Sequence, residues 1–126
     1  MDDSTAVLQG TELTEAVSEA MVGLYAAFYN HERTTATTYI NENVVVCVLE
    51  DILSVGEVDQ ITLGERSAVI DGRVAFQKGA EDDFTAAIER LTGRRVTAFL
   101  SANQTAPGVA CELFFLESPA ESTGGS

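Results

Sequence analysis

The chain opens with apolar residues at helical spacing. Between residues 11 and 29 they recur every three or four positions, as one buried face of an amphipathic helix requires. These positions are Leu13, Val17, Met21, Leu24 and Phe28. Thr11 can cap the first turn, and Glu12 follows it near the positive end of the helix dipole. The pattern predicts a first helix that ends near Asn30.

Two runs rich in β-branched residues come next, at residues 35–40 and 44–49. They are separated by Asn41-Glu42-Asn43, a sequence typical of a turn. Such a pair predicts a β-hairpin. The second run is apolar on both faces, which indicates a central strand that is covered on two sides.

Helical signals return after residue 53. Ser54 and Glu57 have the spacing of a capping box, and Gly64 ends the short helix that they begin. A longer helical pattern covers residues 65–92, and Gly93 stands where a C-terminal glycine cap belongs. The apolar stripe of this longer helix is read as Ile70, Val74, Phe84, Ile88 and Leu91. Gly79 lies in the gap of that stripe, so we expect a kink or a break there.

The last part of the pattern predicts two alternating strands, residues 95–102 and 109–116, joined by a loop at 103–108. One face of this second hairpin is expected to pack against the helices. That face carries Val96, Ala98, Leu100, Val109, Cys111, Leu113 and Phe115. The other face carries Phe99, Phe114 and Leu116, which the predicted helices are too few to cover.

These elements predict the fold class. It is an α+β two-layer sandwich with a four-stranded antiparallel sheet of two hairpins, three to four helices, and the order α-ββ-αα-ββ. We expect one domain over residues 11–116, between a flexible N-terminal tail at 1–10 and a disordered C-terminal tail at 117–126.

The net charge of the chain is more informative about its function than its overall composition. The 126 residues include 20 acidic and 7 basic side chains, a net charge of −13, with an ordinary hydrophobic fraction of 45%. A folded, lysine-poor, acidic chain is typical of proteins adapted to molar salt, of the haloarchaeal type. The alternative is a mildly acidic protein from a non-halophilic cell. Either way, the charge argues against binding nucleic acid or anionic membrane surfaces.

The sequence offers little for catalysis or for metal binding. His31 is the single histidine, and the acidic pairs Asp82-Asp83 and Glu50-Asp51 are expected to be solvated surface groups. Two cysteines, at 47 and 111, are too few and too far apart for a zinc site or a disulfide framework. The acidic start and short apolar runs predict a cytoplasmic protein without membrane insertion. We expect no enzyme activity, no cofactor and no metal.

Two further hypotheses concern binding. Arg66 and Arg73 are seven residues apart, so on one helix they point roughly the same way and could hold a small anion. The alternative is that they pair with acidic neighbours. Phe99, Phe114 and Leu116 would need a separate cover, for which a second copy in a homodimer is the first candidate. The alternative there is that helices cover both sheet faces.

Several short motifs resemble the MpsC-like family. They are the capping segment Leu53-Ser54-Val55-Gly56-Glu57, then Gly64-Glu65-Arg66 with Arg73, and the stretch Ile88-Glu89-Arg90-Leu91-Thr92-Gly93-Arg94-Arg95-Val96. The family is named for the soluble component of a proposed sodium-translocating, membrane-potential-generating system. The resemblance implies a non-enzymatic accessory or regulatory protein of membrane ion or bicarbonate transport, with a membrane transport protein as partner. The alternative function is a small-molecule or anion-binding sensor that uses Arg66 and Arg73.

Overall fold

A computed structural model describes residues 8–29, 33–105 and 107–118, and for Gln77 the backbone alone. Within these residues three helices and four strands follow the predicted order α-ββ-αα-ββ, and the α+β class is confirmed. The elements are α1 Gly10–Tyr29, β1 Thr35–Asn41, β2 Val44–Glu50, α2 Val55–Thr62, α3 Arg66–Thr92, β3 Val96–Thr105 and β4 Gly108–Leu116.

The sheet has the strand order β1-β2-β4-β3 and is antiparallel throughout. Each hairpin pairs internally, and β2 and β4 join the two hairpins in the centre. Helices α1 and α3 pack against the strands and against each other. The core lies between that helix layer and one sheet face.

An aromatic chain fills the core. Tyr25 of α1 packs edge-on against Phe76 with ring centroids 5.2 Å apart, and Phe76 packs against Phe84 at 5.7 Å. Phe84 meets Phe99 of β3 at 6.0 Å, and Phe99 meets Phe114 of β4 at 5.0 Å. These contacts tie both helices to the second hairpin, since such aromatic pairs add stability beyond the area they bury.

The capping box is confirmed. The Ser54 amide donates to the Glu57 carboxylate at 2.9 Å, and the Glu57 amide donates to the Ser54 hydroxyl at 3.2 Å. At the C-terminal end of α3, Gly93 adopts the left-handed conformation with φ of 68°, and its amide donates to the Glu89 carbonyl. The start of α2 and the end of α3 are therefore both determined by capping residues that can be recognised in the sequence.

The expected stripe and break of α3 are wrong in part. Ile70 and Val74 are each 45% exposed, whereas Val69, Arg73 and Phe76 turn inward. The helix runs without interruption through Gly79. Packing of Phe76, Ala80 and Phe84 on one side keeps the helix regular and outweighs the small helix-weakening effect of one glycine.

The expected assignment of the two sheet faces is also wrong. Phe114 and Leu116 are 0% and 4% exposed and belong to the core, and Phe99 packs against it. A register shift between Val96 and Ala98 turns Val96 and Phe99 to this same face. The opposite face, with Leu100 at 59% and Phe115 at 38% exposure, is the open one. Phe99, Phe114 and Leu116 are therefore not available as an interface in this fold.

Candidate functional site

A row of polar residues crosses the covered face of the sheet. Thr38, Cys47, Glu112 and Ser101 stand side by side on β1, β2, β4 and β3 in the strand register. The rows on either side are mostly apolar, with Phe114 in one and Leu49 in the other. A polar row inside a core needs internal partners, because burial of an unpaired polar group is costly.

Glu112 is the centre of this row. Its side chain is 0% exposed, and the Tyr25 hydroxyl donates to its Oε2 at 2.6 Å. Burial raises the pKa of the Glu112 carboxyl above its usual range, and contacts with Ser101 and Tyr25 lower it only in part. The other carboxylate oxygen, Oε1, is buried without a well-formed hydrogen bond, as is the Ser101 hydroxyl opposite it. The site therefore favours the protonated carboxylic acid.

At the β1 end of this row, hydroxyl groups form the hydrogen bonds. Thr38 donates to the Cys47 thiol at 3.6 Å, and the hydroxyls of Ser18 and Thr38 lie 2.7 Å apart. Because the Thr38 hydrogen goes to sulfur, Ser18 is the donor of that second bond. Burial raises the pKa of the Cys47 thiol to about 11, so this cysteine stays protonated and unreactive.

Arg73 belongs to a second set of buried polar side chains. Tyr25 links this set to the polar row of the sheet, because it contacts both Arg73 and Glu112. The Arg73 guanidinium, 1% exposed, stands 5.9 Å from the centre of the Tyr25 ring. Nε and Nη2 donate to the Glu57 carboxylate at 2.9 and 2.5 Å, and Nη2 also donates to the Ile52 carbonyl. Glu57 thus caps α2 and fixes Arg73 with the same carboxylate. These hydrogen bonds hold α2, and Ile52 in the segment before it, against α3.

The structure separates the two arginines of the anion hypothesis. Arg73 is buried under α2, whereas Arg66 is exposed in the first turn of α3. The Glu57 carboxylate already occupies the place where an anion would meet Arg73. The arrangement matches the alternative in which an acidic neighbour pairs with the arginine, at least for Arg73.

The acidic pairs lie on the surface. Asp82, Asp83, Glu50 and Asp51 are exposed, and Asp51 forms an ion pair with Arg33 at 3.5 Å. Within the described part of the chain, no three His, Cys, Asp or Glu side chains come together as a metal site would require. His31 lies outside the described residues.

Glu112 gives a pH-dependent prediction. Because its pKa is higher in the folded than in the unfolded chain, the folded state gains stability at acid pH and loses it as pH rises from the unfolded value, about 4.3, to the folded one. Glu112→Gln keeps an acceptor for Tyr25 and adds an amide donor toward Ser101. We expect a higher melting temperature than the parent at neutral pH, with the difference vanishing at acid pH.

Melting curves over a pH series test this expectation, with Glu50→Gln as the matched control on the exposed end of β2. The control should show no such pH-dependent difference. A Glu112→Gln variant that is less stable than the parent at neutral pH, but equally stable at acid pH where both side chains are neutral, would show instead that the core requires the charged carboxylate.

Most of the strongly exposed apolar side chains fall on two surfaces. We call the uncovered side of the sheet the open sheet face; it includes Tyr39, Leu100 and Phe115. The second surface, the hairpin patch, belongs to α2 and the first half of α3. It consists of Val55, Val58, Leu63, Ile70 and Val74, each at least 45% exposed. Apolar side chains exposed together on one surface, rather than scattered singly, usually mark contact with another protein.

None of the described helices combines the length and the apolar character that crossing a membrane demands. Comparison with known proteins gives one positive finding. Residues 9–118 match the family model described as Na+-translocating membrane potential-generating system (MpsC). No curated protein and no solved structure matches the chain. Since the match covers far more than half of the 126 residues, the chain belongs to the MpsC family.

Proposed function

We propose that this chain is a non-enzymatic accessory subunit of a Na+-translocating membrane system that generates a membrane potential. The family match over residues 9–118 carries the proposal, since the family's description names that system. The position of the polar groups supports a non-catalytic role. Glu112 and Arg73 are 0% and 1% exposed, so a substrate could reach them only if the core opened.

The subunit acts in the cytoplasm. Both cysteines, at 47 and 111, are free thiols, as is usual in a reducing compartment. The net charge of −13 supports a cytoplasm of high salt, where the repulsion between carboxylates is screened. Nothing in the placement of Arg66 and Arg73 favours the alternative of an anion sensor, because Glu57 holds Arg73.

The hairpin patch is the surface through which the subunit meets its membrane partner. Helix α2 contains no buried residue and packs mainly against α3, so its apolar side chains face outward. Acidic Asp59 and Asp71 are exposed on the same two helices, and acidic Glu65 is exposed between them. This combination fits a basic, amphipathic helix whose apolar side packs on the exposed apolar residues of the patch. Cytoplasmic loops of membrane proteins carry an excess of Lys and Arg, which makes such a segment the natural occupant.

Measurement of Na+-dependent membrane potential in cells tests the proposal. Cells that lack the protein should show a smaller Na+-dependent potential, by a potential-sensitive dye, than cells that contain it. The parent chain should restore the potential, and Leu63→Asp should not, because a charge at the 76%-exposed Leu63 disrupts the patch without disturbing the core. An unchanged potential in cells without the protein would contradict the proposal.

The physical contact is tested separately. Cross-linking in intact cells, followed by mass spectrometry, should join the parent to an integral membrane protein through residues of α2 or α3. Leu63→Asp should lose that cross-link while its circular dichroism spectrum stays that of the parent. Cross-links from other surfaces alone would place the contact away from the hairpin patch.

A further inference from the structure

We propose that the open sheet face is the interface of a homodimer, in which the uncovered sheets of two copies stack face to face. This contact is distinct from the hairpin patch and does not depend on the family's membrane role. It uses the sheet face opposite to the one that the sequence pattern favoured.

The first argument is the absence of charge. The strand register divides the open sheet face into four transverse rows of four residues, and three of these rows contain no charged side chain. The three uncharged rows are Asn41-Val44-Phe115-Ala98, Tyr39-Val46-Leu113-Leu100 and Thr37-Val48-Cys111-Ala102, whereas the fourth, at the end of the sheet, contains Glu50. Charged residues make up 21% of the chain, and exposed positions usually carry more than an average share. A surface with a single charged residue at its end, in so acidic a protein, is typical of a surface that another protein covers.

The second argument is shape and size. Four strands about 4.8 Å apart and rows about 6.8 Å apart give a face of roughly 400–500 Å2 over three to four rows. Two stacked faces then bury about 800–1,000 Å2 in total, which is at the lower limit of specific interfaces. Sheets stack in this way about 10 Å apart, with strands nearly aligned, in β-sandwiches.

A second copy fits this face better than a charged partner does. The apolar centre, with half-buried Val46 and Leu113 on the two middle strands, offers nothing to a basic segment. Its best match is another uncharged apolar sheet, and a two-fold axis makes one such face complementary to itself. The outward charges of each copy stay in solvent, away from the contact.

This arrangement has a defined salt signature. Each copy carries −13, so the two repel each other in dilute salt, while the contact itself contains no ion pair to be weakened. Dimerisation should therefore strengthen steadily from dilute to molar KCl. A contact held by charge pairs would weaken over the same range.

Sedimentation equilibrium over a range of protein and KCl concentrations tests the proposal. The parent should be a dimer in molar KCl, and Leu100→Asp should dissociate at least about 100-fold more readily, because an unpaired charge would be buried in an apolar contact. Leu63→Asp on the hairpin patch is the matched control and should remain dimeric. Both positions are well exposed in one copy, at 59% and 76%, so neither change disturbs the core.

The natural thiol at 111 gives a second readout that does not depend on a variant's folding. Cys111 lies on the open sheet face, half-buried, whereas Cys47 is buried in the core. Maleimide labelling of Cys111 in the parent should slow as protein concentration rises, and labelling in Leu100→Asp should not. A parent that is monomeric in molar KCl overturns the proposal. So does a dimer that Leu63→Asp breaks and Leu100→Asp leaves intact.

Discussion

Replacing Arg73 with methionine is expected to lower the free energy of unfolding by about 3 kcal/mol or more. Methionine keeps the apolar stem but leaves the Glu57 carboxylate and the Ile52 carbonyl without their guanidinium donor. Loss of one partner from a buried ion pair typically costs about 3–5 kcal/mol, because the remaining charge is left desolvated. The Glu57 side chain is still 14% exposed, which puts the cost at the lower end of that range.

Denaturant unfolding measures the change, and the chain offers a matched control. Arg66→Met makes the same substitution two turns earlier on α3, where the side chain is exposed, and should alter stability by less than about 0.5 kcal/mol. Adding Glu57→Gln to Arg73→Met should recover part of the loss, since the unpaired charge is removed. Equal effects of the two arginine changes would contradict a structural role for the buried pair.

Arg73 also shows that the sequence pattern did not predict which face of the first half of α3 is buried. The pattern placed Ile70 and Val74 on the buried stripe because they are apolar, yet each is 45% exposed and Arg73 lies inward. Its charge is neutralised by Glu57, which the sequence marked correctly as a capping residue. One carboxylate serves both helix cap and ion pair, and only the three-dimensional approach of α2 to α3 reveals the second role.

Local features were predicted well, because the residues that determine them are neighbours in the chain. The first hairpin turns at Glu42 and Asn43, between strands at nearly the expected positions. Ser54 caps α2, and Gly93 ends α3. The pairing of β2 with β4 was not predicted. Two helices and a strand separate them in the chain, so no local sequence pattern indicates that they are neighbours in the sheet.

The two sheet faces were predicted the wrong way round because both faces of β4 are largely apolar. The face with Val109, Cys111, Leu113 and Phe115 has enough apolar area to pack against the helices, and the pattern therefore favoured it. The structure instead buries Glu112 beside Tyr25. A signal did exist in the sequence: a tyrosine on the first helix can donate to a carboxylate in a core, and Ser101 supplies a polar group on the last hairpin. That combination is too common to decide a face without the strand register.

The second large prediction follows from the corrected assignment of the two faces of β4. Phe114 and Phe115 are adjacent in sequence but point to opposite sides of β4, at 0% and 38% exposure. Phe114→Ala should lower the free energy of unfolding by about 3–5 kcal/mol, the usual cost of emptying an aromatic core position. Its ring centroid lies 5.0 Å from that of Phe99, so the cavity would break the aromatic chain that joins the helices to the second hairpin.

Phe115→Ala is the control of identical chemistry one residue away. In the Leu100→Asp background, where the sheet face has no partner, we expect it to cost about 1–2 kcal/mol, since part of its ring is already in water. In the parent at high protein concentration the same change should cost more, because the ring is then covered by the second copy. Denaturant unfolding of both alanine variants in both backgrounds separates these effects. If Phe115→Ala proved the more damaging change in the monomer, the face assignment of β4 would have to be reversed again.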